Sequence, residues 1–398
     1  MEIQGKNGVA KAFIETIEEN TVEQIKKMLD SDITENAKVR IMPDVHYGKG
    51  STIGTTIRLP ESKNDWKVSP NVVGVDIGCG MMSYKLADFN IPLEQFDKLV
   101  GSKVPSGKGV HAQPNSDPEE WTRNLTMPLS DKEKEYINRS LGTLGGGNHF
   151  IELAVDENGD HWLTVHSGSR KLGHMIATYH QKVADFTRNN AENEALLQSL
   201  KEKGHYEEIH KLLNPGKKKR KRVDDLAYLE GDLLADYIND MAIAQQFAHA
   251  NRKAMLDEMI EAAGLESVDA FDSIHNFIDI ENGIIRKGAT SAREGERLII
   301  PLNMRDGSLI CAGKGNPDWN HSAPHGAGRV MSRTQASKTI DVKAFMDSMK
   351  GVYSSSVGQK TVDESPFVYK AAEDIIFRIG DTVEIHHWIK PVYNFKAK

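Results

Sequence analysis

The sequence has little cysteine, no long apolar run and no excess of positive charge. Only two cysteines occur in 398 residues, which excludes the disulfide framework of a small secreted protein. No apolar run is long enough to span a bilayer, and no charged-then-apolar leader is present. The formal net charge of −7 excludes a surface coated in positive charge but allows a local basic groove. We therefore expect a soluble, cytoplasmic protein with no membrane partner.

Secondary-structure signals divide the chain into a strand-rich body and one helical region. Strand-like stretches and glycine loops fill residues 40–86 and 284–329, whereas residues 174–262 are strongly helical and end in a helix over about 224–264. No Pro/Ser linker separates these regions, and we find no internal repeat. We predict an α+β fold class, with a single domain over residues 1–398 of mixed sheets and glycine loops that carries a helical insertion at about 174–262.

Local signals predict several element boundaries. Thr21-Val22-Glu23-Gln24 is typical of a capping box at the start of an N-terminal helix, and Ser130-Asp131-Lys132-Glu133 is typical of a second one. Pro92 suits the first position of another helix. Strands are expected at 149–155 and 161–166.

The stretch Val72-Val73-Gly74-Val75-Asp76-Ile77-Gly78-Cys79-Gly80 is the first candidate site. Its glycines permit positive φ and close backbone approach, so one turn can aim a carboxylate and a thiol at the same point. Asp76 offers a hard oxygen and Cys79 a soft sulfur, which together could bind a divalent metal. Either residue alone has a structural interpretation, as an amide cap or a core side chain. The second cysteine, Cys311, lies in an apolar run and is expected to be buried.

Four histidines near glycine motifs or strand ends strengthen the metal interpretation. They are His149, His166, His275 and His325. Each one alone could be an ordinary histidine at the edge of the core, but all four together with the Asp/Cys pair favour a site. Imidazole binds manganese, iron and zinc alike, so these residues do not identify the metal. The pattern favours metal-centred phosphoryl chemistry.

Glycine-rich loops supply candidate phosphate sites. Residues 141–147 match neither a Walker loop nor a dinucleotide fingerprint, but their successive N–H groups can form an anion nest. His325 opens a His-Gly-Ala-Gly-Arg loop that runs into residues 330–333, a predicted helix start whose dipole suits a phosphate. Arg329 could bind that phosphate bidentately, and a neutral His325 could attack phosphorus. Further phosphate ligands are offered by residues 167–170 and 286–288.

The run Lys217-Lys218-Lys219-Arg220-Lys221-Arg222 follows an Asn-Pro-Gly break at 214–216. Such runs are usually solvated loops. The alternative is an electrostatic contact with an RNA backbone, which would be strongly sensitive to salt. Neither interpretation makes the run catalytic.

Seven longer blocks extend from about residue 40 to the end of the sequence. They are MPDVHYGKGSTIG (42–54), VVGVDIGCGM (72–81), LGTLGGGNHFIEL (141–153), HSGSRKLG (166–173), RKGATSAREG (286–295), PHGAGRVMSR (324–333) and VEIHHWIKPVYNFKA (383–397). In sequence and in order they closely resemble the RtcB family of RNA ligases. The resemblance implies that family's α+β fold.

The resemblance also implies an activity. RtcB enzymes join an RNA 3′-phosphate or 2′,3′-cyclic phosphate end to a 5′-hydroxyl end, with GTP and Mn²⁺, in RNA repair or tRNA splicing. RNA with such ends would be the partner, and an archease-type activator is a further candidate. His325 would take GMP from GTP. Two Mn²⁺ ions would share five ligands with Cys79 as the bridge: Asp76, Cys79, His149, His166 and His275.

A further set of residues would contact the nucleotide or RNA phosphates. It comprises Asn148, Glu152, Arg170, Lys287, Asn303, Met304, Gly326, Ala327, Gly328, Arg329 and Lys396. The chain departs from the family in three places. Residues 301–307 replace the usual PGSMG, and the lost glycine and inserted Arg305-Asp306 pair could reshape base recognition. Residues 316–324 differ from the usual Cys- or Ser-rich run, and Lys398 could compete with Lys396.

Two alternatives stay open. A binuclear metal phosphoesterase could trim RNA ends without a covalent intermediate, although His325 and the large arginine set favour ligation. A non-catalytic RNA- or ribosome-binding member would not need every catalytic position filled. A GMP adduct with joined RNA product would discriminate between these alternatives and ligation.

Overall fold

The computed structural model describes residues 1–117, 119–188, 190–214 and 224–397. It is 38% helical and 26% strand, with curled antiparallel sheets. The predicted α+β class is therefore confirmed, and the assignment of residues 1–398 to one domain stays a prediction.

Within the described residues, fifteen strands form three sheets. The strands are β1 (Glu2–Gln4), β2 (Val9–Ala12), β3 (Lys38–His46), β4 (Ile53–Arg58), β5 (Gly80–Leu86), β6 (Phe150–Val155), β7 (His161–Ser167), β8 (Ser267–Ile274), β9 (Asn276–Asp279), β10 (Ile284–Lys287), β11 (Ala289–Ser291), β12 (Arg297–Asn303), β13 (Gly307–Gly313), β14 (Ser322–Pro324) and β15 (Val383–Lys396). The two strands predicted from residues 149–155 and 161–166 are confirmed as β6 and β7.

The described residues also form eleven α-helices. They are α1 (Glu19–Leu29), α2 (Pro70–Val73), α3 (Leu93–Lys103), α4 (Asp131–Ser140), α5 (Arg170–Thr187), α6 (Ala191–Glu202), α7 (Tyr206–Leu213), α8 (Gly231–Ala263), α9 (Arg333–Thr339), α10 (Val342–Ser348) and α11 (Ala372–Ile379). Helices α5 to α8 form the predicted insertion. Ser130 caps α4 in a capping box, as the sequence predicts. The helix predicted to open at Pro92 is confirmed as α3, but Pro92 is its N-cap residue and the first helical residue is Leu93.

The sheet order brings distant segments together. The larger sheet has the order β12-β13-β15-β6-β7-β5-β8, and every neighbouring pair in it is antiparallel. The six-stranded sheet has the order β1-β2-β3-β4-β10-β9, and β11 pairs with β14. The larger sheet curls strongly, since Arg297 on the edge strand β12 donates to Asp269 and to the carbonyl of Ala270 on the opposite edge strand β8.

Helix α8 packs against two hydrophobic cores. Met241 and Phe247 near its middle belong to the core formed with the six-stranded sheet and the other insertion helices. Met255, Leu256 and Met259 near its end belong to the core beneath β5, β6, β7 and β15. The helix ends at Gly264, whose φ of 64° is left-handed as expected for a helix stop. The insertion is therefore fixed against both sheets.

Three local predictions are wrong. Helix α1 begins at Glu19, so Thr21 lies inside the helix, where its side chain is buried rather than capping. Helix α8 begins at Gly231 and not near Asp224, because Leu229 first pairs with Val68 in an isolated bridge. The region 40–86 also contains helix α2, which Pro70 starts at the first helical position.

Some sequence predictions lie outside the described residues. They concern the basic run 217–222, most of the 214–216 break, and Lys398. In the described part of the chain, no helix combines the length and apolar character needed to cross a membrane.

Candidate active site

Five of the candidate residues converge on one buried point. The Cys79 sulfur lies 3.5 Å from Nε2 of His149 and 3.3 Å from Nε2 of His166. Nε2 of His275 lies 3.4 Å from Nε2 of His166. An Asp76 carboxylate oxygen lies 3.0 Å from Nε2 of His149. The structure therefore brings together all five predicted metal ligands.

The donor atoms fall into two groups that share the thiol. Cys79, His166 and His275 form one group, and Asp76, Cys79 and His149 form the other, with the ligand atoms of each group within 4.8 Å of one another. Carboxylate, thiolate and imidazole together suit a first-row divalent cation. This donor set therefore fits two cations with Cys79 between them.

Strand ends and turns position these ligands. Asp76 and Cys79 lie in the turn between α2 and β5, His149 directly precedes β6, His166 lies at the end of β7, and His275 joins β8 to β9. A side chain at Gly168 would overlap the Asp76 carboxylate, so the glycine is needed for this approach.

Backbone carbonyls orient two of the imidazoles. Nδ1 of His149 donates to the carbonyl of Leu144 at 2.8 Å, and Nδ1 of His166 donates to the carbonyl of Asn148 at 3.2 Å. Because a carbonyl can only accept, Nδ1 carries a proton in both rings, and Nε2 of each ring faces the ligand cluster. Such second contacts are typical of histidines that bind metals.

Burial sets the protonation states of this cluster. It lowers the pKa of His166 and His275 well below the usual imidazole value, so both rings are neutral. Burial and the Asp76 carboxylate raise the pKa of the Cys79 thiol well above its usual value. Burial alone would raise the pKa of Asp76, but the hydrogen bond and charge of His149 outweigh it and lower that pKa. A bound cation would favour the thiolate instead.

Helix α8 fixes the backbone of the ligand loops. Arg252 is fully buried and donates from one nitrogen to the carbonyls of Gly78 and Ser167, at 2.8 and 2.9 Å. Its other nitrogens form a two-point ion pair with Asp272 at 2.8 and 2.7 Å. Gly78 precedes Cys79 and Ser167 follows His166, so one guanidinium sets the spacing of two ligands.

His325 lies beside the ligand cluster. Its ring centroid is 4.9 Å from that of His275. Nδ1 donates to an Asp44 carboxylate oxygen at 2.6 Å, which leaves Nε2 with its lone pair. Asp44 is fully buried, and its second oxygen has no hydrogen-bond partner among the described residues. A side chain at Gly328 would overlap the backbone of Asp44, so the glycine loop can close on this strand only without a Cβ.

A cavity of about 760 Å³ opens onto His325 and His166. Its lining includes most of the predicted nucleotide contacts: Asn148, Glu152, Asn303, Met304, Gly326, Ala327, Gly328, Arg329 and Lys396. The cavity is large enough for a nucleotide. It therefore joins a candidate nucleophile to a candidate nucleotide site.

A buried carboxylate gathers cations on one side of this cavity. Glu364 accepts hydrogen bonds from Arg329 at 3.1 Å and Lys396 at 3.0 Å, and from the Tyr369 hydroxyl at 2.7 Å. A third cation, Arg333, lies 2.7 Å from the same carboxylate. Arg333 also pairs with Asp363 at 2.8 Å, so three cations face two carboxylates. The one positive charge in excess suits phosphate groups.

Comparisons with known proteins identify the family of this chain. The sequence model of a family described as "tRNA-splicing ligase RtcB" matches residues 24–397. The chain belongs to the RtcB family. The resemblance stated from seven sequence blocks is therefore confirmed.

Curated relatives of this RtcB chain cover most of its length. It is 33% identical over 400 residues to the RNA-splicing ligase RtcB of Escherichia coli (strain K12), which covers 90% of each chain. It is 26% identical over 427 residues to the tRNA-splicing ligase RtcB of Aeropyrum pernix, covering 84% of this chain and 82% of the relative. The RNA-splicing ligase RtcB of Mycobacterium tuberculosis is 26% identical over 420 residues, covering 84% and 90%.

Two predicted phosphate contacts of the RtcB chain do not line the cavity. Arg170 lies against the glycine loop and donates to the Thr143 hydroxyl and the Gly107 carbonyl, each at 3.2 Å. The Lys287 ammonium is buried and donates to the carbonyls of Lys49, Ser51 and Asn71 at 2.5 to 2.9 Å. Burial lowers the pKa of Lys287 to about 7. The structure thus places both cations in contact with loops beside the site.

The altered 301–307 segment of this RtcB chain is a tight hairpin between β12 and β13. The Asn303 side chain accepts from the backbone N–H groups of Arg305 and Asp306 at 3.0 and 2.9 Å. The inserted pair also forms its own ion pair at 2.8 Å. Met304 is buried at the cavity wall, so the hairpin contributes to the lining.

The helix predicted to start within residues 330–333 is confirmed as α9. Residues 330–332 are not helical; Ser332 caps α9, and the helix starts at Arg333. His325 lies eight residues before Arg333, so the glycine loop and the Arg329 side chain separate it from the helix start.

Sequence reasoning missed three residues of the RtcB site. Asp44 lies within the quoted block MPDVHYGKGSTIG, where an acid two residues before a histidine was the available signal. Glu364 lies in Asp-Glu-Ser-Pro, a surface-like context that conceals its burial. Arg252 lies on a helix of mixed polarity, and no local pattern marks it.

Proposed function

We propose that this RtcB protein joins RNA 3′-phosphate or 2′,3′-cyclic phosphate ends to 5′-hydroxyl ends, with GTP and through a histidine–GMP intermediate. The proposal is carried by one observation. His325 lies beside the five-ligand cluster with its Nδ1 hydrogen-bonded to buried Asp44, so that Nε2 is free to act. RNA repair and tRNA splicing are the processes that such a reaction serves.

In the first step, Nε2 of His325 attacks the α-phosphorus of GTP. A nitrogen–phosphorus bond forms, the bond from phosphorus to the bridging oxygen breaks, and pyrophosphate leaves. The imidazole ring gains positive charge as it attacks. During the whole step, the Asp44 carboxylate accepts the hydrogen bond from Nδ1–H of His325, and its negative charge balances the charge on the ring.

Asp76, Cys79, His149, His166 and His275 would hold the two divalent cations. The cations would be Mn²⁺, although zinc or cobalt would also suit this donor set. Bound there, they would neutralise phosphate charge beside the nucleophile. The fit is supported by the neutral imidazoles of His166 and His275 and by the Cys79 thiol that the two ligand groups share.

In the second step, an oxygen of the RNA 3′-phosphate attacks the same phosphorus, and the bond to His325 breaks. The product is an RNA end activated as a diphosphate with GMP. The 5′-hydroxyl of the other RNA then attacks the RNA phosphorus, and GMP leaves. A cyclic end must first take up one water. Arg329 and Lys396 border the cavity and would bind the phosphates.

Labelling with α-³²P GTP tests the proposal. Wild-type protein with Mn²⁺ should carry label on a denaturing gel, and RNA with 3′-phosphate and 5′-hydroxyl ends should be joined. His325→Ala should abolish both, whereas His205→Ala, at an exposed position before α7, should change neither. Loss of the RNA phosphate without joining would support the phosphoesterase alternative instead.

A companion reaction tests the nucleotide. We propose GTP as the preferred nucleotide, and the 301–307 hairpin is the place where this chain departs from its family. ATP should label the protein much less efficiently than GTP. Equal labelling by ATP and GTP would contradict the preference for GTP but would leave the assignment of His325 as the nucleophile intact.

An archease-type activator and a cytoplasmic location also belong to this proposal. A turnover assay with and without such an activator tests the need for the activator.

A further inference from the structure

Tyr47 presents an exposed ring at the junction of two cavities. Its side chain lines the cavity of about 760 Å³ that opens onto His325, called the catalytic cavity below, and also a second cavity of about 580 Å³. Tyr47 is 59% exposed. Asn20 is the other residue shared by both linings. The two cavities therefore adjoin at Tyr47 and Asn20.

Hydrogen bonds from helix α1 and strand β10 fix the backbone of the loop that carries Tyr47. The Gln24 side chain donates to the carbonyl of Gly48 at 2.5 Å and accepts from its N–H at 3.1 Å. The buried Lys287 ammonium donates to the carbonyls of Lys49 and Ser51 at 2.5 and 2.9 Å. Helix α1 and strand β10 thus fix the backbone around Tyr47, while Tyr47 itself is exposed.

Tyr47 lies three residues after Asp44, which orients the candidate nucleophile His325. It follows strand β3, which carries Asp44, and Asp44 holds His325. The backbone of Tyr47 is therefore held close in sequence to the residue that orients His325.

The charges of the second cavity suit RNA only weakly. Lys27 and Lys49 are exposed there, and neither forms an ion pair with another described residue. The carboxylates of Glu23 and Asp225 also line this cavity and offset them. Stacking, rather than a strong positive field, is the interaction that this surface offers.

We propose that the second cavity holds single-stranded RNA next to the end being joined, with one base stacked on Tyr47. This inference rests on the proposed ligase function and adds a binding site for its RNA substrate. Because every base has a π-face, the site would tolerate many sequences. Loss of one stacked base typically weakens binding by about tenfold or more.

Three variants test the site. Tyr47→Ala should raise the KM for RNA about tenfold. The factor by which the KM for RNA rises should be much larger than the factor by which the rate of labelling by GTP, measured without RNA, changes. Tyr47→Phe keeps the ring and should behave like wild type. Tyr206→Ala removes a tyrosine that is 50% exposed on helix α7 and should have no effect.

A binding measurement separates this inference from the proposed reaction. RNA that carries 2-aminopurine near its 3′-phosphate end should lose fluorescence when it binds wild-type protein, and Tyr47→Ala should restore that fluorescence. This readout needs no ligation, so it tests Tyr47 even if the protein takes no GMP. Unchanged RNA affinity in Tyr47→Ala, or equal losses of RNA binding and GTP labelling, would overturn the proposal.

Discussion

At the scale of single residues, Glu152 is an acid whose environment works against its charge. It lies in the cavity wall, and one carboxylate oxygen accepts from the Asn394 amide at 2.8 Å, while the other has no partner among the described residues. Burial raises its pKa to about 7, although Asn394 and Lys396 act in the opposite direction. Near neutral pH it is therefore present in both protonation states, and it could donate or accept a hydrogen bond.

The raised pKa of Glu152 predicts a pH-dependent stability difference. Unfolded Glu titrates near 4.5 and the folded residue near 7, so its contribution is complete below pH 4.5 and is lost as the pH rises through 7. Glu152→Gln cannot titrate. Between pH 4 and 8, the wild-type free energy of unfolding should fall by up to about 3 kcal/mol relative to the variant. Urea melts across this range check it, and parallel profiles would contradict it.

Single residues were predictable where chemistry marked them. Asp76, Cys79 and the histidines have side chains that few other roles require in glycine loops, and the structure brings them together. Asp44 and Glu364 are ordinary acids in sequence. Their roles arise from burial beside His325 and beside three cations, and burial depends on the tertiary fold.

At the scale of elements, helix α8 supports the ligand loops from the insertion. Besides Arg252, Asn251 accepts from the N–H groups of Gly142 and Thr143 at 2.8 and 3.0 Å and donates to the Gly168 carbonyl at 3.2 Å. Two neighbouring residues of one helix thus hold three separate loops. The insertion is part of the site's support.

Replacing Arg252 by lysine tests this support. Lys keeps the charge but cannot donate to two carbonyls and a carboxylate in one plane. We expect the free energy of unfolding to fall by about 3 kcal/mol. The affinity for Co²⁺, followed by absorption of the cobalt–thiolate bond, should fall more than tenfold.

The matched control is Arg297→Lys, which changes an exposed arginine paired with Asp269 between two edge strands. It should leave Co²⁺ binding unchanged. Equal effects of the two substitutions on Co²⁺ binding would show that Arg252 acts only through general stability.

Elements were predictable where local chemistry decides them. The capping box at Ser130 and the glycine stop at Gly264 act within one helical turn, and both are confirmed. The start of α8 depends instead on the pairing of Leu229 with Val68, which are far apart in sequence. Likewise, Thr21 is drawn into the core by packing that no local pattern encodes.

At the scale of the whole molecule, Glu364 connects three distant segments. Its partners come from the loop before α9, from the segment around Tyr369, and from the end of β15. The order of the larger sheet, with β15 between β13 and β6, likewise joins segments far apart in the chain. Neither arrangement could be predicted from sequence, because such pairings depend on the entire fold and not on local preference.

Neutralising Glu364 should weaken these connections. Glu364→Gln keeps the shape but leaves three cations without their shared carboxylate. The free energy of unfolding should fall by about 3 kcal/mol, and the KM for GTP should rise because Arg329 and Lys396 lose their fixed positions. Glu373→Gln, exposed on α11, should change neither value. Thermal melts and labelling kinetics check this, and wild-type KM in Glu364→Gln would contradict it.

The central position of β15 has a consequence for synthesis. During translation, the residues that would bind cations and the histidine that would carry the nucleotide all emerge before residues 383–396. Until that last strand inserts between two strands made much earlier, the larger sheet is open and the Lys396 side of the cavity is missing. A nascent chain therefore acquires its complete catalytic cavity only in a late, long-range step of folding.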